Sequence, residues 1–149
     1  GMKELKNGRK KGKGEKMEIE KMYVGQVYEV KRIVTDEMIK MFAEATGDKN
    51  PVHLDDEFAR NSIFGGRIAH GILSLGIVSA VLGMEFPGAG TVYLMQNAKF
   101  KRPVYVGEEV TVRLTVKEID REKRRVLLET LVVKPNGENA IEGEALVKV

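Results

Sequence analysis

The segment AHGILSLGIVSAVLGM, residues 69–84, decides the fold. Its apolar residues occur all around a helix rather than on one side, and this pattern is typical of a helix buried on every face. Gly76, Ser79, Ala80 and Gly83 are small enough to let other backbone approach closely. We therefore expect one central helix with the rest of the chain wrapped around it.

Four β-rich segments follow this helix, and turn residues such as Gly107 and Pro135-Asn136-Gly137 separate them. Each is long enough to cross a sheet, and the short connections favour neighbouring, antiparallel strands. We expect them to follow one another in meander-like order. The predicted strands are 92–100, 109–119, 125–134 and 140–149.

The first half of the chain has the pattern of a strand followed by helices. Alternation over 27–34 predicts a strand, and Thr35 is a good N-cap for a helix that ends at Gly47. A loop over 48–53 and a short helix over 55–60 come next. This order fits an antiparallel sheet curled around a single buried helix, so the predicted class is α+β.

The composition indicates one globular domain. The chain has 149 residues, of which 42% are hydrophobic and 32% charged. It contains no cysteine, which excludes disulfides, thiolate nucleophiles and iron–sulfur clusters. A multi-histidine metal site would use both histidines, His53 and His70, and would still need carboxylates. Acid–base chemistry must come from these imidazoles or from Asp, Glu, Lys and Tyr.

The basic charge is concentrated at the N-terminus. Residues 1–16 hold seven basic and two acidic residues, a net charge of +5, so the chain's total of +3 leaves −2 for the remainder. We interpret 1–16 as a disordered basic arm and 17–149 as the folded domain, with Gly1 as a tag remnant and Met17 as a candidate natural start. The alternative, an RNA-binding arm, lacks any aromatic platform or nucleic-acid motif, so no nucleic-acid partner is predicted.

No segment has the pattern of a membrane or export signal. No apolar run approaches the roughly 18 residues of a transmembrane helix, and the charged N-terminus lacks the apolar core of a signal peptide. The sequence therefore predicts a cytoplasmic protein without a membrane partner.

Asp48 and His53 are the strongest candidates for acid–base chemistry. At this spacing their side chains would diverge by about 140° on a helix and lie on opposite faces of a strand. They can converge only where the backbone turns, and Asn50-Pro51 supplies a turn, because proline disfavours helical conformation in the preceding residue. A carboxylate and an imidazole that meet in a loop can form an acid–base pair. On spacing alone, a helix-capping Asp48 and an ordinary His53 are the alternative.

The residues around this pair resemble those of a known family. The segments FAEATGDKNPVH (42–53), FGGRIAHG (64–71) and FKRPVYVGEE (100–109) are similar to the MaoC-like (R)-specific enoyl-CoA hydratases, the hydratase 2 family. The resemblance covers nearly everything after Val24, and its Gly-Asp-x-Asn-Pro-x-His core is specific. It implies a homodimer with a hot-dog fold, in which an antiparallel sheet wraps around a long central helix.

The resemblance also implies an activity, the syn addition of water to a trans-2-enoyl-CoA to give an (R)-3-hydroxyacyl-CoA. Asp48 and His53 would grip the water, with His53 taking its proton as it attacks C3 and Asp48 delivering a proton to C2. The Gly71 amide would stabilise charge on the thioester oxygen, and a glycine there would let the thioester come close. No metal and no cofactor are implied, because CoA is part of the substrate.

Other residues receive supporting roles by position. Ser79 matches a hydroxyl that holds the catalytic groups in the family, but it could equally bond back to its own helix. Asn50 is expected to fix the loop, and His70 to form local hydrogen bonds. Three cations near a strand end are candidates for contacts with the CoA phosphates, or are simply solvated: Lys99, Lys101 and Arg102.

Two other functions compete with the hydratase. A hot-dog thioesterase would cleave acyl-CoA and would not need His53 beside the carboxylate. A non-catalytic acyl-CoA-binding module could keep the fold without the chemistry, since fold alone does not fix function. The acyl chain length depends on the pocket, which we expect the loops around Phe58, Phe64 and Phe86 to shape.

Overall fold

The computed structural model describes residues 16–149. A 3₁₀ turn (Ile19–Lys21) comes first. The predicted order follows, with strands and α-helices β1 (Val27–Ile33), α1 (Asp36–Thr46), α2 (Pro51–Leu54), α3 (Asp56–Arg60), α4 (Gly71–Met84), β2 (Val92–Phe100), β3 (Glu109–Asp120), β4 (Arg125–Val133) and β5 (Asn139–Lys148). The predicted basic arm lies outside the described residues except for Lys16.

The strands form one antiparallel sheet in the order β1-β3-β4-β5-β2. The predicted meander holds for β3, β4 and β5 but is wrong for β2, which pairs with β5 at an edge of the sheet. The segment that leaves β2 explains this. Lys101 N–H donates to Ala140 O at 2.8 Å, and Ala69 N–H donates to Val104 O at 2.7 Å. These bonds hold the segment after β2 beside the start of β5 and then beside the residue that precedes α4 by two positions, before β3 begins.

The central helix α4 packs against one face of the sheet. Its buried apolar residues join valines and leucines of β3, β4 and β5 in a single cluster. Each fully buried Val or Leu contributes about 1.5–3 kcal/mol relative to an exposed one. The predicted α+β hot-dog architecture is therefore confirmed. Within residues 16–149, no helix is long and apolar enough to cross a membrane.

One side of α4 is open in the single chain, so one chain alone does not bury the helix on every face. Ile72 is 56% exposed, and Gly76 and Ala80 are exposed as well. A single-layer sheet covers only one side of a helix. The open face continues onto the edge strand β2, where Leu94 and Met95 are also exposed. We call this combined surface of α4 and β2 the open apolar face.

A short N-terminal strap that begins at Lys16 closes one end of the core. Lys16 pairs with Gly88 in an isolated β-bridge, so this last residue of the predicted arm is ordered. Ile19 and Met22 are each 1% exposed. Arg121, in the turn after β3, donates to Ile19 O at 2.6 Å and to Met22 O at 2.9 Å. The folded domain thus includes this strap.

The segment between α1 and α2 brings the chain to the candidate site. Thr35 caps α1 as predicted, and its Oγ1 accepts a first-turn N–H at 3.1 Å. The helix ends at Gly47, whose φ of +80° favours glycine. The loop expected next is shorter than predicted, because Pro51–Leu54 form one helical turn with Asn50 as N-cap. Proline at the first helical position lacks only an N–H that would have no partner there.

Candidate active site

Three side chains converge beside the first turns of α2 and α4. Asp48 precedes α2, His53 lies on α2, and His70 is the residue directly before α4. One carboxylate oxygen of Asp48 and one nitrogen of each ring lie within 4.8 Å of one another. The structure therefore brings Asp48 and His53 together and adds His70 as a third member.

Backbone carbonyls determine the tautomers of both rings. His53 Nδ1 lies 2.8 Å from Ile68 O, and His70 Nε2 lies 2.9 Å from Asp48 O. A carbonyl oxygen only accepts hydrogen bonds, so we assign a hydrogen to each of these nitrogens. In the neutral rings, the lone pairs then lie on His53 Nε2 and His70 Nδ1. His53 thus offers a basic nitrogen, and His70 makes the local bond expected of it.

Burial keeps His53 in its neutral form. The residue is 8% exposed. Loss of hydration lowers its pKa below the usual 6.5, although the bond to Ile68 and the charge of Asp48 act in the opposite direction. The neighbouring His70 ring also lowers the pKa. At neutral pH, His53 is therefore a free base that can take a proton from water.

Short-range hydrogen bonds hold the loop that carries Asp48. Thr46 Oγ1 accepts the Asp48 N–H at 3.1 Å, and the Asp48 carboxylate accepts the Asn50 N–H at 3.3 Å. Asn50 in turn accepts the Val52 N–H at 3.3 Å and so caps α2. Asn50 lies where it can fix the loop, whereas Thr46 is a support that no sequence pattern indicated. The carboxylate stays exposed beside two buried rings.

Arg67 ties the backbone of His53 to α1, a role that the sequence analysis missed. Its Nε–H donates to His53 O at 2.8 Å, and its guanidinium pairs with Asp36 in the first turn of α1. The Arg67 side chain is only 11% exposed. Hydrogen bonds from Lys40 and Arg67 lower the pKa of the Asp36 carboxyl. The pair spans 31 positions of sequence, so no local pattern could reveal it.

Gly71 is the first residue of α4, and the ring of Phe100 explains why it is glycine. A Cβ at this position would lie 2.6 Å from Cδ1 of Phe100. The space that was expected to admit a thioester is therefore filled, at this point, by an aromatic ring that is itself 53% exposed. Within residues 16–149, no side chain caps α4. The Gly71 and Ile72 N–H groups at its start remain suited to binding an anion, whereas the Leu73 N–H donates to His70 O at 3.1 Å.

A groove of about 440 Å³ follows the open apolar face. Ser79 lies in its wall, about 12 Å further along the helix axis than Gly71. Among residues 16–149, no side-chain hydrogen bond joins Ser79 to Asp48 or His53. The groove is lined by Phe42, Ile72, Leu75, Gly76, Ser79, Tyr93, Leu94, Met95 and Gln96.

The phenylalanines expected to shape the pocket do not line this groove. Phe86 is 3% exposed and packs in the core, Phe58 is 51% exposed on α3, and Phe64 lies in the turn before α4. Phe42 lines the groove instead. Its ring also contacts His70, with centroids 4.7 Å apart, so it connects the groove with the candidate site. Phe42 was quoted within the motif but received no role.

The cations suggested for CoA lie at the end of β2. Lys99 and Lys101 are exposed and flank Phe100, whose ring covers the start of α4. Arg102 is engaged elsewhere, since its Nε lies 3.5 Å from a carboxylate oxygen of Glu138. Two exposed ammonium groups, those of Lys99 and Lys101, are therefore available at the end of β2.

Proximity alone would let Asp48, His53 and His70 share a metal ion, but the ring geometry does not fit. An ion lies close to the plane of each imidazole that binds it, whereas these two rings are stacked and inclined by only 28°. One nitrogen of each ring is also bonded to a carbonyl. The cluster suits acid–base chemistry better than metal binding.

A carboxylate and a neutral imidazole beside the first turn of a sheet-wrapped helix define a hot-dog protein with an acid–base site. This chain belongs to the MaoC like domain family, whose sequence model matches residues 19–136. It is 42% identical over 130 residues to a 3-hydroxybutyryl-CoA dehydratase of Methylorubrum extorquens, covering 87% of this chain and 82% of the relative. It is 36% identical over 133 residues to an (R)-specific enoyl-CoA hydratase of Aeromonas caviae, covering 89% and 99%.

Solved structures agree with this assignment. The unliganded R-hydratase PhaJ1 from Pseudomonas aeruginosa matches with a TM-score of 0.88 at 36% identity, covering 93% of this chain and 88% of that one. The (R)-hydratase from Aeromonas caviae involved in PHA biosynthesis matches with a TM-score of 0.83 at 36% identity, covering 87% and 98%. The family resemblance inferred from the motif is thus confirmed.

Proposed function

We propose that this chain is a cytoplasmic (R)-specific 2-enoyl-CoA hydratase, which adds water to trans-2-enoyl-CoA and gives (R)-3-hydroxyacyl-CoA. The observation that carries the proposal is the convergence of Asp48 with a buried, neutral His53. Relatives named as 3-hydroxybutyryl-CoA dehydratase and (R)-specific enoyl-CoA hydratase, at 42% and 36% identity, support it. The reverse dehydration uses the same groups.

The chemistry starts with one water held between Asp48 and His53. His53 Nε2 takes a proton as the water oxygen bonds to C3, and the π pair of the double bond moves to C2 and the thioester oxygen. The His53 imidazolium passes this proton to the Asp48 carboxylate through a bridging water, since the two groups lie within 4.8 Å of each other. Asp48 then delivers the proton to C2, so the proton lost by water is balanced by the one gained by C2 and both groups return to their starting state. All atoms come from water and substrate, so no cofactor is required.

Negative charge on the thioester oxygen needs a donor, and we assign this role to the Gly71 amide. It lies at the start of α4, where the helix dipole and the free N–H groups favour an anion. One such donor contributes about 3–4 kcal/mol to transition-state stabilisation. Phe100, packed over Gly71, would shield the hydrogen bond between the Gly71 amide and the thioester oxygen from water. The exposed Lys99 and Lys101 would meet the CoA phosphates, and Arg102 would join them only by giving up its contact with Glu138.

A second copy of the chain would complete this site. The edge strand β2 has unpaired backbone and exposed apolar side chains, which in a lone subunit is a liability for aggregation. Pairing of β2 with β2 of a second copy would bury these side chains and roof the groove. The acyl tail would then lie in an enclosed channel along α4. Asn50 and Ser79 keep supporting roles, in the loop and in the channel wall.

Hydration of crotonyl-CoA tests the proposal. The wild-type protein should remove the absorbance of the conjugated thioester without releasing free CoA and should form (R)-3-hydroxybutyryl-CoA. Asp48→Asn and His53→Ala should each lower kcat by about 10²- to 10⁴-fold, the usual contribution of a general acid or base. The control Glu57→Gln removes an exposed carboxylate of α3 and should leave kcat unchanged.

Other outcomes would contradict the hydratase. Free thiol without the hydroxyacyl product would indicate a thioesterase. Binding of short and long enoyl-CoAs without any reaction would indicate an acyl-CoA-binding module. Full activity in both site variants would show that the water is activated elsewhere.

A further inference from the structure

Two buried polar atoms beside the site have no hydrogen-bond partner within residues 16–149, namely His70 Nδ1 and Ser74 Oγ. Each residue is 2% exposed. A buried polar group without a partner is rare, so each needs an explanation. Sequence reasoning gave a role to Ser79 on the same helix and none to Ser74.

The two atoms come from neighbouring positions in space. His70 is the N-cap of α4, and Ser74 lies one turn further on, with its N–H 3.4 Å from His70 O. Side chains separated by four positions lie on the same side of a helix, with Cβ atoms about 5–6 Å apart. No hydrogen bond joins them in the structure, so a change of the Ser74 side-chain rotamer or one buried water is needed to connect them.

The two atoms are also chemically complementary. His70 Nε2 donates to Asp48 O, so Nδ1 carries a lone pair and can only accept. The Ser74 hydroxyl is a donor that has nothing to donate to within residues 16–149. One bond between them satisfies both. The other groups facing His70 offer its Nδ1 no donor: Phe42 and His53 present ring faces.

We propose that the Ser74 hydroxyl donates to His70 Nδ1, directly or through one buried water, and that this bond makes Ser74 a positioning residue for the catalytic loop. It keeps His70 as the Nε2–H tautomer, which tethers Asp48 O and supports the His53 ring. Without the donor, His70 can place its hydrogen on Nδ1 and release Asp48. The positioning role rests on the proposed hydratase function, whereas the hydrogen bond itself does not.

Nitrogen NMR tests the bond without reference to activity. The chain has only two histidines, so a ¹⁵N-labelled His53→Gln sample assigns the four ring nitrogens. In the wild type, His70 Nε2 should be protonated, and Nδ1 should resonate upfield of an unprotonated nitrogen that accepts no bond. In Ser74→Ala, the Nδ1 signal should move downfield or show exchange between tautomers. Ser74→Thr keeps the hydroxyl and should restore the wild-type pattern.

Activity tests the positioning role. Ser74→Ala should lower kcat on crotonyl-CoA by about five- to tenfold, as expected for loss of one hydrogen bond, with KM changed less than about twofold. The matched control is Thr130→Val, which removes another buried hydroxyl, 1% exposed and bonded to Gln96. It should leave both His70 nitrogen signals unchanged.

Each arm can overturn a separate claim. Unchanged His70 signals in Ser74→Ala would overturn the hydrogen bond. Altered signals with unchanged kcat would overturn the positioning role. A wild-type protein without hydratase activity would overturn the proposed function, while the NMR result would still decide the bond.

Discussion

His53 and His70 stack face to face, with ring centroids 3.8 Å apart and planes inclined by 28°. The contact joins α2 to the start of α4. Positive charges on both rings would repel each other at this distance. Each ring donates a hydrogen bond to a backbone carbonyl. Burial and the neighbouring His70 ring both lower the pKa of His53, so the site depends on His53 remaining unprotonated.

The first prediction concerns pH. Because burial lowers the pKa of His53 below 6.5, kcat/KM should be constant near pH 7 and should fall only below pH 6.5. The His53 imidazole takes up a proton more readily in the unfolded chain than in the folded one. The free energy of unfolding should therefore be at its plateau above pH 6.5 and decrease as the pH falls toward the lowered pKa. A pH–rate profile measures kcat/KM, and urea titrations at several pH values measure the free energy of unfolding. His53→Gln should remove the part of the pH dependence of stability that comes from His53.

The second prediction concerns the close packing of Gly71 and Phe100. Gly71→Ala places a methyl group 2.6 Å from the ring, so we expect the ring to be displaced and kcat/KM to fall about tenfold. Phe100→Ala removes the ring that the new methyl group would strike. In a Phe100→Ala background, Gly71→Ala should therefore have almost no further effect on kcat/KM. A double-mutant cycle measures the coupling. Additive effects of the two substitutions would show that the glycine serves the substrate alone.

The third prediction concerns Arg67. Arg67→Met leaves His53 O without its side-chain donor and leaves Asp36 with Lys40 as its partner, so we expect a loss of about 2 kcal/mol in the free energy of unfolding. Arg67→Lys should recover little of this stability, because the single ammonium group of lysine lacks the planar fork with which the guanidinium binds His53 O and Asp36 together. Lys40→Met is the control, since it removes the exposed partner of Asp36 and should cost about 1 kcal/mol or less. Equal costs for both positions, in denaturant titrations, would contradict the role of Arg67.

The fourth prediction concerns the open apolar face. Leu94→Asp puts a charge on the exposed edge of β2 and should convert a dimer into a monomer, with loss of hydratase activity. Val27→Asp puts the same charge on the opposite edge strand, β1, and should leave the dimer intact. Light scattering coupled to size-exclusion chromatography measures the mass. A wild-type monomer with full activity would rule out a site completed by a second copy.

Much of the fold could be predicted from local patterns. The boundaries of α1 and β1 follow from Thr35, Gly47 and the alternation over 27–34, because caps and periodicity act over a few residues. The position of β2 at the sheet edge did not follow, since pairing depends on the path of the connection and not on the strand itself. The open side of α4 did not follow either, as sequence does not say whether a face is covered within one chain or by a second one.

The site was predictable only in part. The motif brought Asp48 and His53 together in one segment, so their convergence could be expected. The contacts of Arg67 could not, because they depend on where a second segment lies in space. Ser74 could not be singled out either. A lone serine in an apolar run is a weak signal that many buried helices share. Only the absence of a partner for its hydroxyl within residues 16–149 sets Ser74 apart.

The bonds that orient the two rings end on peptide carbonyls, Ile68 O and Asp48 O, rather than on side chains. Every amino acid carries such a carbonyl, so no substitution at position 68 can delete the acceptor. Packing constrains the side chain there, since Ile68 is 8% exposed, but the acceptor itself does not depend on it. Asp48→Asn likewise alters the carboxylate while sparing the tether of His70. The orientation of the two rings is thus robust to side-chain changes at positions 48 and 68 and vulnerable to changes that move these two carbonyls.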